Sequence, residues 1–361
     1  MRVIILGDIS VDRPYAIARE AFAAFGAADL VVANLEGLLL VDDDALRVAR
    51  AGQMVFYNAL SVLDVLEAFH VRAVCLANNH LYDLPLPAAA TGERLAAAGI
   101  AAFGAGANLE EAGAPLVFSQ GSTTLKVFAL GWEVIGCRPA RARGEGVNPL
   151  TPQRALETIR RLRADDQESC VIFLMHWNFE LELYPQPAHR QLAHDLIASG
   201  VDAVIGMHPH VAGGVELVEG RPVVYSLGNW FLPARQVGPL HVAYPPIAAR
   251  ELAVTLEIEG RQVRDVRLDW YQFDAARNAL QAKGSEDSRG ATVRELTPYA
   301  GMSHAAYREW FKANRTRRRG LPIYHDYTHI WRNRVRDRYT RARQAAVETL
   351  VRLRLKGGPR A

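Results

Sequence analysis

Five segments of the 361-residue chain end in polar residues that bind metals, and each follows an apolar run. Asp8 closes "RVIILGD", Asn34 and Glu36 close "LVVANLE", and Asn78, Asn79 and His80 close "AVCLANNH". His176 ends "CVIFLMH", and "GMHPHV" over 206–211 sets His208 and His210 one proline apart. Singly, each has an ordinary explanation: Asp and Asn form turns, a histidine satisfies itself in a core, and proline fixes a loop. Together they put carboxylate, amide and imidazole donors at five strand ends, which coincidence explains poorly. Such a mixed nitrogen and oxygen set suits manganese, iron or zinc, and no thiolate stands in position to select otherwise. Its chemistry is metal-assisted hydrolysis. One or two divalent ions lower the pKa of water and clamp a developing oxyanion, and two ions about 3.5 to 4 Å apart share a bridging carboxylate. A histidine left unligated protonates the leaving group.

For these segments to converge, the chain must be a layered α/β protein whose largely parallel strands share one edge. Runs at 2–7, 30–34, 72–77, 126–132, 170–176, 202–208 and 222–228 read as strands buried on both faces. Helical patterns at 59–69, 88–99, 151–164 and 187–200 alternate with them. Thr151 followed by Pro152 marks a helix start, and Gly200 marks a helix end. From Glu251 two alternating runs around Glu259-Gly260 read as a hairpin completing the sheet. "GAGANLEEAG" lacks both the third glycine of a dinucleotide loop and a P-loop lysine, so Asn108 with Glu111 reads as a helix capping box.

Half of the residues are hydrophobic, enough for one large core and a second smaller one. No apolar run reaches the ~18 to 20 residues of a membrane span, and "RVIILGD" begins on a core strand, so the expectation is a cytoplasmic protein with no transmembrane segment. Cys75, Cys137 and Cys170 are odd in number and widely spaced, which predicts buried free thiols. The net charge of +3 conceals an asymmetry: residues 312–361 hold 15 Lys or Arg against three acids, and residues 1–311 carry a net −9. The stretch 276–302, containing "AKGSEDSRGAT", reads as a linker between a domain over 1–275 and a basic helical extension over 303–361. Trp331, Val335, Tyr339, Ala342, Ala346 and Leu350 share one helical face. That face predicts docking on the oppositely charged domain, on a second copy or on a synthase partner. An acidic polymer or a membrane surface is the rival, and nucleic acid is the least favoured partner.

The ordered set "GDISVDR", "ANLEG", "ANNHLYD", "GIAAFGAGANLEEA", "MHWNFE", "GMHPHV" and "VYSLGNW" resembles the capsule synthesis protein CapA family, the poly-γ-glutamate synthesis proteins, over about residues 1–260. That resemblance implies a calcineurin-like metallophosphoesterase fold, a layered β-sandwich flanked by helices with a metal site above it. By position, Asp8 resembles the first metal carboxylate, and Glu36 stands where a bridging aspartate is usual. Asn79 and His80 resemble the Asn-His pair, with Asn79 on the metal, His80 as acid or orienter, and Asp83 placed to hold His80. His176, His208 and His210 resemble the three metal histidines, with Asn34 and Glu180 as supporting groups. The implied activity is hydrolysis of a phosphoester or an amide, γ-glutamyl bonds included, using one or two Mn, Fe or Zn ions. Its substrate would be an acidic polymer or a small phosphorylated or γ-glutamyl compound. A non-catalytic accessory subunit of a polymer-synthesis complex is the alternative. Three positions depart from the pattern: Ser10 stands where many metallophosphoesterases have histidine, Asn178 replaces the glycine after His-Trp, and "LYDLPLPAAA" lacks the glycines usual after His80.

Overall fold

Branched aliphatic residues fill β1 (Arg2–Ile9) and β2 (Leu30–Leu35), and almost every side chain in both is buried, as expected of strands covered on two faces. The two pair in parallel, and β3 (Ala73–Cys75) and β4 (Ala101–Phe103) continue the sheet in the same direction. In this computed structural model, which describes residues 1–40, 55–237, 240–316 and 320–352, the chain then leaves that sheet and builds a second one. Strand β5 (Leu116–Gln120) pairs antiparallel with β6 (Thr123–Gly131), which lies parallel to β7 (Cys170–His176), itself parallel to β8 (Ala203–Met207). The short hairpin of β9 (Val215–Val218) and β10 (Arg221–Val224) closes this sheet through β10, parallel to β8. The chain returns to the first sheet with β11 (Asn229–Phe231), parallel to β1. Strand β12 (Arg250–Glu259) pairs antiparallel with β1 on the same side as β11, opposite β2, and forms the expected hairpin with β13 (Gln262–Asp274).

Alternation along β7 shows how the layers stack. Cys170, Ile172 and Leu174 join the core shared with β1 and β2, whereas Val171, Phe173 and Met175 join a second core. The two sheets therefore pack face to face, with helices outside them. Helices α1 (Val62–Ala68) and α2 (Ala89–Ala97) serve the first sheet, burying Val62, Val65 and Leu95 in its core. Helices α3 (Pro152–Asp165) and α4 (Pro187–Ala198) cover the second sheet with Ile159, Leu192 and Leu196. Thr151 caps α3 by accepting from Arg154 N, and Asn108 caps the short helix Leu109–Gly113 from Glu110 N and Glu111 N, as their motifs predict. The three cysteines are buried and free. Among the described residues no helix is long and apolar enough to cross a membrane.

Beyond the hairpin the structure departs from the sequence reading. The stretch read as a linker over 276–302 carries β14 (Ala279–Glu286), paired antiparallel with β13, and α5 (Ala291–Leu296). As the edge strand of its sheet, β14 is mostly exposed, so its composition is that of a loop. The extension is not a separate body either. Tyr299, Tyr307 and Phe311, the last two on α6 (His304–Asn314), are fully buried in the second core. Ala188 N donates to Tyr324 O at 2.8 Å, and the Tyr307 hydroxyl to Pro185 O at 2.7 Å. Helix α7 (Ile330–Arg352) docks with the opposite face from the one its apolar spacing predicts: Thr340 is buried and Asp337 accepts from the Tyr324 hydroxyl, while Trp331, Val335 and Tyr339 face out. The tyrosines and Phe311 have already covered the second sheet, which leaves polar contacts to hold α7. The arginines at 317–319 and the basic residues beyond 352 lie outside the described residues.

Candidate metal centre

The expected single rim turns out to be two adjoining edges. Asp8, Asn34 and Asn78 to His80 come from β1, β2 and β3 of the first sheet, and His176, His208 and His210 from β7 and β8 of the second. Two glycines allow the edges to meet. A Cβ on Gly7 would lie 2.2 Å from Gly228 O, and one on Gly206 would lie 2.0 Å from Tyr225 O. Only glycine lets β1 and β8 pass so close to the 225–229 segment, and each is followed within two residues by Asp8 or His208. Around Pro209 the backbone is strained, with His208 at φ 93° and His210 at φ 59°. A non-glycine residue held there costs on the order of 1 to 3 kcal/mol, a cost that persists where the surrounding fold imposes it and that clusters at functional sites.

Glu36 is the hub. Its Oε1 lies 3.8 Å from His80 Nε2, 3.9 Å from His210 Nε2 and 4.0 Å from His176 Nε2. Asp8 Oδ2 is 3.3 Å from His210 Nδ1, and Asp8 Oδ1 accepts from Asn34 Nδ2 at 2.8 Å. Asn78 Nδ2 donates in turn to Asn34 Oδ1 at 3.3 Å and to Leu35 O at 2.8 Å, so a relay of amides fixes Asp8. Asn79 Oδ1 contacts His176 Nε2 at 2.7 Å, and the His208 ring lies 4.9 Å from that of His176. His80 stands at the opening, its Nδ1 2.7 Å from Asp83 Oδ2 and its ring against Phe56 at 4.5 Å. Asp83 also accepts from Phe56 N, which ties the pair to the backbone. Glu180 is exposed at the mouth, where its charge acts on Glu36 and His210 without a direct bond to either.

Electrostatics separate these groups. Burial pushes Glu36 up to about 7, with Asp8 adding to the shift. Burial also pushes His176 down to about 3 and His208 well below the ordinary range, and neighbouring histidines reinforce it. His210 moves the other way, to about 10, because Glu36 and Asp8 outweigh its burial. Asp8 stays below the usual carboxylate range: burial opposes this, but the His210 ring, 3.3 Å from Oδ2, prevails. His80 is raised, since Asp83 outweighs burial. The cleft therefore holds two neutral imidazoles beside carboxylates that borrow their balancing charge from His210. Neutral imidazole and carboxylate are the forms that bind metal, so a cation taken up here would displace the protons of His210 and Glu36.

A divalent cation fits this set. Both oxygens of Glu36, Oδ2 of Asp8, and Nδ1 of His176 and of His208 are buried without a hydrogen-bond partner. Leaving such atoms unsatisfied costs about 1 to 3 kcal/mol each, and a cation beside Glu36 would relieve its carboxylate. Donors of Glu36, His208 and His210 already lie within 4.8 Å of one another. Ser10 supplies nothing to this set: it is buried, its hydroxyl turned to Tyr57 O and its carbonyl accepting from Arg235. Three groups escaped the sequence reading. Asn229 Oδ1 holds His210 Nδ1 at 2.8 Å, and its place in "SLGNW" at the end of an apolar run was a signal for it. Tyr244, whose ring lies 4.8 Å from that of His210, and Arg235 come from a segment with no periodicity to mark them.

Carboxylate, amide and histidine donors on the adjoining edges of a two-sheet sandwich define an α/β protein with a candidate divalent-metal centre. The chain belongs to the bacterial capsule synthesis protein PGA_cap family, whose model matches residues 4–233. It is similar to the PGA biosynthesis protein CapA of Bacillus subtilis, at 25% identity over 57% of this chain and 54% of that protein. It is also similar to a probable polyglutamine synthesis accessory protein of Mycobacterium tuberculosis, at 27% identity over 56% of this chain and 55% of that one. The chain thus spans about half the length of the curated relatives it matches. Among solved structures it is similar to a 5′-nucleotidase precursor from Thermus thermophilus, with 15% identity and a TM-score of 0.41 over 87% of this chain and 59% of that one.

Proposed function

We propose that the protein is a metal-dependent hydrolase of CapA type, cleaving a phosphoester or an amide bond, γ-glutamyl bonds included, in capsule or poly-γ-glutamate-type polymer metabolism. The observation that carries this reading is Glu36, a fully buried carboxylate with both oxygens unpartnered and three imidazoles within 4 Å. Asp8, Glu36, Asn79, His176, His208 and His210 would hold one or two ions of Mn, Fe or Zn. Bound there, such an ion supplies Lewis acidity and lowers the pKa of water. The remaining residues position and transfer protons. Asn34 and Asn78 orient Asp8, and Asn229 fixes the ring of His210. Asp83 holds Nδ1 of His80, which turns Nε2 toward the space beside Glu36, where it can protonate a leaving group. Glu180 flanks the approach of substrate.

Metal analysis of the purified protein beside Asp8→Ala and His208→Ala tests this reading. The expected result is about one to two equivalents of a transition metal in the parent and a sharp loss in both variants, with turnover of a generic phosphodiester or a γ-glutamyl amide identifying the bond. A metal-free parent whose function survives both substitutions would overturn it. That outcome favours a non-catalytic accessory subunit, a reading supported by the name of the mycobacterial relative, a probable synthesis accessory protein.

A further inference from the structure

Helix α7 presents an apolar stripe that stays exposed among the described residues. Trp331 is 68% exposed, Val335 57%, Tyr339 53% and Leu350 40%, among the largest apolar exposures on the molecule. The steps from Trp331 to Val335, Tyr339 and Ala342 are 4, 4 and 3 residues, close to the helical period, so the stripe runs straight along the helix instead of winding around it. Arginines line both margins. At about 100° per residue, Arg332 and Arg336 fall along one edge, and Arg334 and Arg338 along the other. The face opposite the stripe is the one that holds the helix in place, through buried Thr340, Asp337 on Tyr324, and Arg341 on Glu133.

We propose that α7 is a contact site for an anionic membrane surface, lying in the interface with its stripe among the acyl chains and its arginines at the headgroups. Three occupants compete for the stripe. A second copy of the helix would bring two arginine-lined faces together, and like charges at close range oppose that pairing. A soluble polyanion would satisfy the arginines but would leave Trp331, Val335 and Tyr339 in water. An anionic bilayer satisfies both parts, because flanking cations meet the headgroups while aromatic and aliphatic side chains enter below them. Charge distribution orients the approach: residues 1–311 carry a net −9, so the basic extension is the part of the molecule that such a surface attracts.

The test is co-sedimentation of the full chain with phosphatidylcholine vesicles, with and without phosphatidylserine, at low and at physiological salt. Binding is expected on the phosphatidylserine vesicles alone and should weaken with salt. Arg334→Gln with Arg338→Gln should reduce it by roughly 20- to 30-fold, since each arginine near such a surface is worth about fivefold. Trp331→Ala with Tyr339→Ala should reduce it at least about tenfold, through lost apolar insertion. These four side chains are exposed, so circular dichroism and thermal unfolding should match the parent. Absence of parent binding to phosphatidylserine vesicles at low salt overturns the proposal. So does a dimer dispersed by the Trp331 and Tyr339 pair, or retention on polyglutamate stronger than on vesicles and indifferent to that pair.

Discussion

Asn178 shows how one residue can replace another for backbone reasons alone. It follows His176-Trp177 and holds φ at 69°, the left-handed region where glycine is at ease and asparagine is the best-tolerated substitute. Its side chain adds a return, donating from Nδ2 to Tyr184 O at 3.0 Å. Asn178→Gly should therefore change stability by no more than about 1 kcal/mol, whereas Asn178→Val should cost more than about 2 kcal/mol in urea unfolding. Asp83 is a residue of a different kind, acting through another. Asp83→Asn keeps a hydrogen-bond acceptor but removes the charge that holds His80. The metal content should stay at the parent value while kcat falls roughly 10- to 100-fold, on whichever phosphodiester or γ-glutamyl amide the parent turns over. Equal loss of metal and activity would place Asp83 among the structural supports of the metal set instead.

At the scale of elements, strands buried on both faces announced themselves, since apolar runs such as "CVIFLMH" have no other stable placement. The same runs carry no mark of which sheet they join. For this reason the polar ends of β1, β2, β3, β7 and β8 could be read as one rim when they lie on two edges. Edge strand β14 was illegible for the converse reason, because half of its hydrogen bonds and most of its side chains face water. Amphipathic spacing marked α7 as a helix but pointed to the wrong face as its anchor, whereas α6 is the one anchored by apolar side chains. The distinction is measurable. Tyr307→Ala, which empties a fully buried site on α6, should cost about 3 to 5 kcal/mol in urea unfolding. Trp331→Ala on α7 should stay within about 0.5 kcal/mol of the parent.

For the molecule as a whole, pH should act through groups held uncharged in the interior. His189 of α4 lies flat against Trp177, with ring centres 5.1 Å apart, and meets the edge of Trp132 at 4.7 Å. Burial pushes it down to about 3. Unfolded, the same imidazole titrates near 6.5, so between these values the unfolded chain binds a proton that the native chain refuses. The contribution of this group is therefore complete above pH ~6.5 and is lost as pH falls, by roughly 1.4 kcal/mol per unit, until the folded group itself protonates near 3. His189→Phe should remove one proton's worth of slope from the dependence of unfolding free energy on pH over that window, with metal-stripped protein used throughout. An unchanged slope would mean that His189 is charged in the native state.

The position of β1 sets a rule for how this chain is made. Strand β1 is flanked on one side by β2 and on the other by β11 at Asp8 and Ile9 and by β12 along Arg2–Ile5, and β12 arrives only after residue 250. The outer face of β7 waits longer still, for the tyrosines at 299, 307 and 324. During synthesis the family-matched segment is thus complete in sequence while its second sheet still lacks those side chains and the Arg2–Ile5 stretch of β1 still lacks β12. A nascent chain in that state needs shelter from aggregation, and a gene truncated at the family boundary would make a protein with that state as its permanent form.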